Sequence, residues 1–142
     1  MRNDKFYAIG MMVASLARNK VTEDNATANE VIALMPLLKD WVEGSYVIGD
    51  VRVYNGAPYK CVQAHDSTGN SGWNPVDAPS LWSNYHATDA QYALPYVAPT
   101  GAHDCYNAGE YMIWTDGSVY ECLVDGTVYN PETIPASWAI KE

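Results

Sequence analysis

The feature that most constrains this chain is that part of it is written twice. Tyr46 to Cys61 reads YVIGDVRVYNGAPYKC, and Tyr106 to Cys122 reads YNAGEYMIWTDGSVYEC. Tyr46, Gly49 and Asp50 match Tyr106, Gly109 and Glu110, and Val53 and Tyr54 match Ile113 and Trp114. After one residue inserted in the turn, Gly56, Tyr59 and Cys61 match Gly117, Tyr120 and Cys122. Downstream, WNPVDAPSLW aligns with YNPETIPASW, which sets Trp73, Pro75, Pro79 and Trp82 against Tyr129, Pro131, Pro135 and Trp138. Such repetition predicts one small unit used twice rather than one large sheet.

Within each copy the residues read as β. Val51 and Val53 alternate with polar positions, and the following YNG is a hairpin signal. Residues 1–40 read instead as helical. Phe6, Ile9, Val13 and Leu16 follow helical spacing, as do Val31, Leu34, Met35 and Leu38. TANE, Thr27 to Glu30, is a capping-box pattern, with Asp24 as an alternative start, and Pro36 predicts the end or a kink. The expected fold is therefore α+β: a short N-terminal helical segment, 1–40, followed by two small antiparallel β modules, 41–83 and 103–142. The connector 84–102 carries Tyr85, Tyr92, Leu94, Tyr96 and Val97, which are costly to leave in water, so it should lie across one or both units. The helices are too short to bury their apolar faces alone. They must pack on the rest of the chain, on copies of themselves or on a larger partner, and self-association or docking is favoured.

Several function classes are disfavoured. The chain has 8 basic and 17 acidic residues among its 142, a net charge of −9, which opposes binding to nucleic acid or to anionic membranes. No stretch is long and apolar enough to span a bilayer. Phe6 to Ala17 has the length of a signal-peptide core behind Arg2 and Lys5, but Asp4 and the retained Met1 favour an amphipathic helix. Three cysteines, none in a C-x-x-C pair, make a metal site unexpected. Cys61 and Cys122 are expected to point inward as small hydrophobes, and whether Cys105 and Cys122 form a disulfide is left open. Ser, His and Cys form no nucleophile motif and there is no phosphate loop, so no catalysis and no cofactor are expected. The richness in Tyr, 11 against one Phe, suits either half-buried strands or sugar-binding and interface surfaces.

The run YNGAPYKCVQAHDSTGNSGWNPVDAPSLW, with its Y-x-C-x-Q-x-H, GW-x-P and P-x-LW segments, resembles the chitin-binding type of carbohydrate-binding module, families five and twelve. The resemblance covers Trp41 to Ser83. The second copy follows it more loosely, since 11 residues separate Cys61 from Trp73 and only 6 separate Cys122 from Tyr129. It implies a compact antiparallel module in which Trp73 is exposed and stacks on sugar rings while Trp82 closes the core. It also points to His65 and Pro79 near the same surface. Pro75 would stiffen the loop that presents the ring. Tyr129 and Pro131 are the corresponding candidates in the second copy. Beside this stand other readings: Trp73 covered by the connector or by another subunit, and His65 as a hydrogen-bonded structural residue. Asp66 stands where the family more often has Thr.

The phrase NKVTEDNATANEVIALMPLLKDW is similar to tail-associated phage proteins that lead into this same module. That resemblance implies a virion protein at the surface of a phage-like particle, with secretion or the host cytoplasm before assembly as alternatives. Its expected partners are a polysaccharide, chitin-like or from a bacterial surface, and other virion proteins through residues 1–40, with a homo-oligomer such as a trimer. Two functions remain: a non-catalytic glycan binder for host attachment, or a structural decoration or adaptor that uses the same modules for protein contacts.

Overall fold

In a computed structural model the protein is described at residue 18 and over residues 26–101 and 103–141. The first predicted helical stretch, around Phe6 to Leu16, lies outside the described residues. The second becomes helix α1, Ala28–Leu34. Its start is the predicted capping box: Thr27 Oγ1 accepts from Glu30 N–H at 3.3 Å while Glu30 Oε1 accepts from Thr27 N–H at 3.1 Å. Pro36 has no N–H to continue the ladder, and the helix ends in a 3-10 turn, Met35–Leu37. The buried face of α1 packs on the rest of the chain. Val31 and Leu38 are buried against Val51, with Val53 and Tyr85 at the margin. Full burial of a side chain such as Val31 contributes roughly 1.5–3 kcal/mol.

Among the described residues nine short strands follow: β1 Ser45–Tyr46, β2 Val51–Tyr54, β3 Ala57–Cys61, β4 His65–Asp66, β5 Trp82–Asn84, β6 Leu94–Pro95, β7 Tyr111–Ile113, β8 Val119–Cys122 and β9 Trp138–Lys141. They form a β1-β4 pair, a β2-β3-β5 sheet and a β6-β7-β8-β9 sheet. Among the described residues the strand pairings are antiparallel except β6 with β7, which is parallel, as is the isolated bridge from Asp40 to Val53. The α+β architecture read from sequence is thus the observed one. The β2-β3 hairpin turns at Asn55 and Gly56, whose φ values of 50° and 77° are those of a type I′ turn.

The same bonds recur in both sheets. Gly49 N–H donates to Cys61 O and Cys61 N–H to Asp50 O; Gly109 donates to Cys122 and Cys122 to Glu110 at matching distances. Cys61 faces Trp82 across β3-β5, and Cys122 faces Trp138 across β8-β9. Each sheet buries one cluster: Tyr46, Tyr59, Cys61 and Trp82 in the first, Tyr106, Met112, Cys122 and Trp138 in the second. Both buried thiols are free, as is half-buried Cys105, so no disulfide joins Cys105 to Cys122.

The correspondence reaches back into the aromatic connector. Trp41 N–H donates to Val53 O, and Tyr96 N–H donates to Ile113 O. Trp41 meets Tyr54 edge to face at 5.6 Å, and Tyr96 meets Trp114 at 5.1 Å. The Tyr46 hydroxyl accepts from Val42 N–H, and that of Tyr106 from Val97 N–H. So Leu94–Tyr96 does for the second sheet what Lys39–Trp41 does for the first. Between these anchors and the core tyrosine the first unit has four residues, 42–45, and the second has nine, 97–105.

The two units are stitched by the segment between them. Ala87 bridges to Tyr111, and Asn29 on α1 exchanges two hydrogen bonds with Thr88. His86 stacks on Tyr106 at 3.8 Å and its Nδ1 lies 3.1 Å from Glu110 Oε1.

Candidate functional site

The loop after β4 is organised by a buried asparagine. Asn74 Oδ1 accepts from the N–H groups of Val76 and Asp77, and its Nδ2 donates to Ser71 O and Asp77 Oδ2. That makes the turn rigid without a regular element. The preceding 3-10 turn, Ser71–Trp73, is closed by Trp73 N–H donating to Asn70 O. Buried Ser67 fixes the loop's other end, donating to Gly44 O and accepting from Gly44 N–H. Exposed Asp66 caps the intervening turn by accepting from Thr68 N–H and Oγ1. These hydrogen bonds, led by the Thr68 hydroxyl, hold its carboxyl below the ordinary carboxylate range.

On this frame the two tryptophans separate. Trp82 is 2 % exposed and packs edge to face on Tyr46 at 5.0 Å. Trp73 is 42 % exposed, and neither the connector nor any other described segment closes over it. His65 links them: its ring centroid lies 5.6 Å from Trp82, 5.7 Å from Tyr46 and 6.4 Å from Trp73. These are ordinary aromatic contact distances. Its Nδ1–H donates to Gln63 O at 2.7 Å, which fixes the ring's orientation. The structure thus makes His65 a hydrogen-bonded brace that also lines the open groove beside Trp73.

That groove, of about 550 Å³, includes Trp73, His65, Pro79, Asp77 and Ser80. Pro79 is half-buried on its rim, whereas Pro75 is buried beneath the loop. A flat, half-exposed indole beside proline, carboxylate and hydroxyl groups can stack on the C–H face of a sugar while polar groups meet its hydroxyls. Gln63, Asp77 and Ser80 were not singled out by sequence reasoning. Asn74 was also passed over, although it stands in both aligned segments as Asn74 and Asn130.

In the second unit, Asn130 Oδ1 accepts from Glu132 and Thr133 N–H. Tyr129 is 56 % exposed, its carbonyl accepting from Trp138 Nε1–H at 2.9 Å. Pro131 is buried, like Pro75. Thr127 pairs with Tyr106 where His65 pairs with Tyr46, so this site has no imidazole beside its exposed ring. Among the described residues, no group of three or more His, Cys, Asp or Glu side chains is placed to hold a metal ion, and no helix is long and apolar enough to cross a membrane.

Comparison with known proteins bears most directly on the first unit, to which the family match is confined. The profile of carbohydrate-binding module family 5/12 matches residues 41–83. The chain is 33% identical over 82 residues to Chitinase A1 from Niallia circulans, covering 56% of this chain and 11% of that protein. It is 46% identical over 43 residues to Streptogrisin-C from Streptomyces griseus, covering 30% of this chain and 9% of that protein. The chain thus spans about a tenth of the length of these curated relatives. A solved family GH18 chitinase from Chromobacterium violaceum matches 43% of this chain and 16% of its own, at 32% identity and a TM-score of 0.32. Residues 41–83, which hold Trp73 on its braced loop, are the stretch that matches the carbohydrate-binding module family 5/12.

Proposed function

We propose that the protein is a non-catalytic glycan binder that holds an insoluble polysaccharide of the chitin type through Trp73. The observation that carries this is the half-exposed Trp73 ring on a loop fixed by buried Asn74, within the stretch that matches the binding-module family. A ring already held in place spends little conformational entropy on stacking. The name of the relative Chitinase A1 supports chitin as the first polymer to try. The second unit, with its matching core and exposed Tyr129, acts as a weaker companion site, and two linked sites raise avidity through effective concentration.

The setting we propose is the surface of a phage-like particle, as part of host attachment, with residues 1–40 engaging virion proteins or assembling a homo-oligomer. Its support is the N-terminal phrase that resembles tail-associated proteins. A structural role for the second unit is favoured by one observation: Tyr129 follows exposed Leu123, Val124 and Val128 in one loop, an apolar surface suited to protein contact.

The test is a pull-down of the purified chain on insoluble chitin and on isolated bacterial cell walls, beside Trp73→Ala. The expected result is retention of the wild type on at least one polymer and its loss in the variant. Folded wild-type protein that is retained by neither overturns the glycan reading.

A further inference from the structure

A second groove lies on the far side of the Trp73 loop. It measures about 250 Å³ and is lined on one side by the first unit, with Pro75, Val76, Pro79 and Trp82, and on the other by Val97 and Thr100. Those last two belong to the nine-residue segment 97–105, five residues longer than its counterpart 42–45 in the first unit. The segment is a built wall: the Asp104 carboxylate accepts from Thr100 N–H, Thr100 Oγ1 and Gly101 N–H. Pro79 lines both this groove and the one beside Trp73, so the two meet at one ridge.

Two lining residues of the second groove hold buried polar atoms that find no partner among the described residues, Trp82 Nε1 and Asn84 Oδ1. The counterpart of the first is satisfied, since Trp138 Nε1–H donates to Tyr129 O. One orphan is a donor and the other an acceptor, the pair that a hydroxyl complements. Both grooves contain acidic residues, Asp77 and Asp104, and among the described residues neither is lined by a lysine or arginine. The volume falls below the roughly 300–1,000 Å³ of a complete ligand pocket, which suits an extension rather than a separate site.

We infer that the groove between the Pro75–Pro79 loop and Val97, Ala98, Thr100 and Asp104 is a second subsite for an uncharged polysaccharide, continuing the strand that stacks on Trp73 across Pro79. This rests on the glycan reading above. The inference adds a subsite made jointly by the two units, so that the strand reads both. Contact there adds apolar and polar surface beyond the Trp73 ring, and makes affinity depend on oligosaccharide length.

Calorimetric titration with the chitin disaccharide and hexasaccharide tests it, using the full chain, Trp73→Ala and Ala98→Ile, which adds bulk at an exposed position lining the groove. The expected result is a hexasaccharide that binds wild type about tenfold tighter than the disaccharide, the gain of one further set of contacts. Ala98→Ile should remove most of that gain and leave the disaccharide unchanged, while Trp73→Ala weakens both ligands. In NMR the Trp82 indole N–H resonance should shift with the hexasaccharide and stay in place with the disaccharide. A length gain untouched by Ala98→Ile, together with a still Trp82 resonance, overturns the subsite while sparing the Trp73 site. Failure of both sugars to bind, with chitin retention also absent, overturns the glycan reading and the subsite with it.

Discussion

The two units share a scaffold and differ in what they place on it. Asp50 accepts from Val47 N–H and Glu110 from Asn107 N–H, Cys61 donates to Gln63 O and Cys122 to Val124 O, and each sheet ends on a buried Trp. Yet Arg52 lies over the Tyr46 ring at 5.2 Å where the second unit packs buried Met112 against Tyr106. The first has Trp73 with His65 at its edge; the second has Tyr129 alone in a shorter loop. The repeated hydrogen bonds are those a small core needs to close. Met112 aside, which is buried in the second core, the divergent rings Trp73 and Tyr129 face outward, where binding is decided and stability scarcely feels the change.

The sharpest way to break this comparison is through the cores. Trp82→Ala and Trp138→Ala should each cost about 3–5 kcal/mol, the usual penalty for emptying a tryptophan site. Denaturant unfolding measures both. A near-neutral Trp138→Ala would show that the second sheet does not depend on its core as the first does. Next in size are the loop asparagines. Asn74→Ala strips four hydrogen bonds from a buried site and should cost about 2–4 kcal/mol, with loss of chitin retention as Trp73 drifts. Asn130→Ala removes two described bonds from a half-buried position and should cost roughly half as much by the same reckoning.

Smaller effects on stability accompany larger ones on binding. Trp73→Ala should weaken chitin binding about tenfold while moving stability by less than about 0.5 kcal/mol, as expected of an exposed ring. Tyr129→Ala should weaken it only slightly, and equal losses from both would make the two sites equivalent. Smallest is a pH effect confined to the second unit. Burial acts to raise the Asp104 pKa, but its bonds from Thr100 and Gly101 outweigh that and hold it below the ordinary 3.8. A lowered folded-state pKa stabilises above the unfolded value and loses that contribution as pH falls through the folded one. Thermal melts of wild type and Asp104→Asn should therefore differ near neutrality and converge well below pH 3.8. A difference that grows in acid would reverse the assignment.

Much of the local design was legible because it rests on residues with few alternatives. Asn55-Gly56 could only be a tight turn, Thr27 and Glu30 formed the cap they spell, and Cys61, Cys122 and Trp82 went inward. The separation of Trp73 from Trp82 followed the resemblance, with Trp73 left open by the described residues of its own chain. What stayed hidden was carried by backbone atoms or by a change of length. Tyr96 takes the place of Trp41 through an N–H···O bond that no side-chain pattern records, and the insertion after it conceals the alignment. Asn74 and Asn130 were visible as a shared letter, but an asparagine in a Pro-rich segment reads first as a turn former. Only its burial reveals that it sets the shape of the loop.

The parallel pairing of β6 with β7 changes what counts as linker. Leu94–Pro95 lies along one margin of the four-stranded sheet, and Pro95, with no N–H to offer, is tolerated there because a margin needs no second partner. A fragment beginning near residue 103 would shed this cover and leave β7 with unpaired amides and carbonyls, a template for pairing with other copies. The second unit is therefore not separable where its recognisable repeat begins. Its independence, and its resistance to aggregation, start about ten residues earlier, inside the aromatic connector.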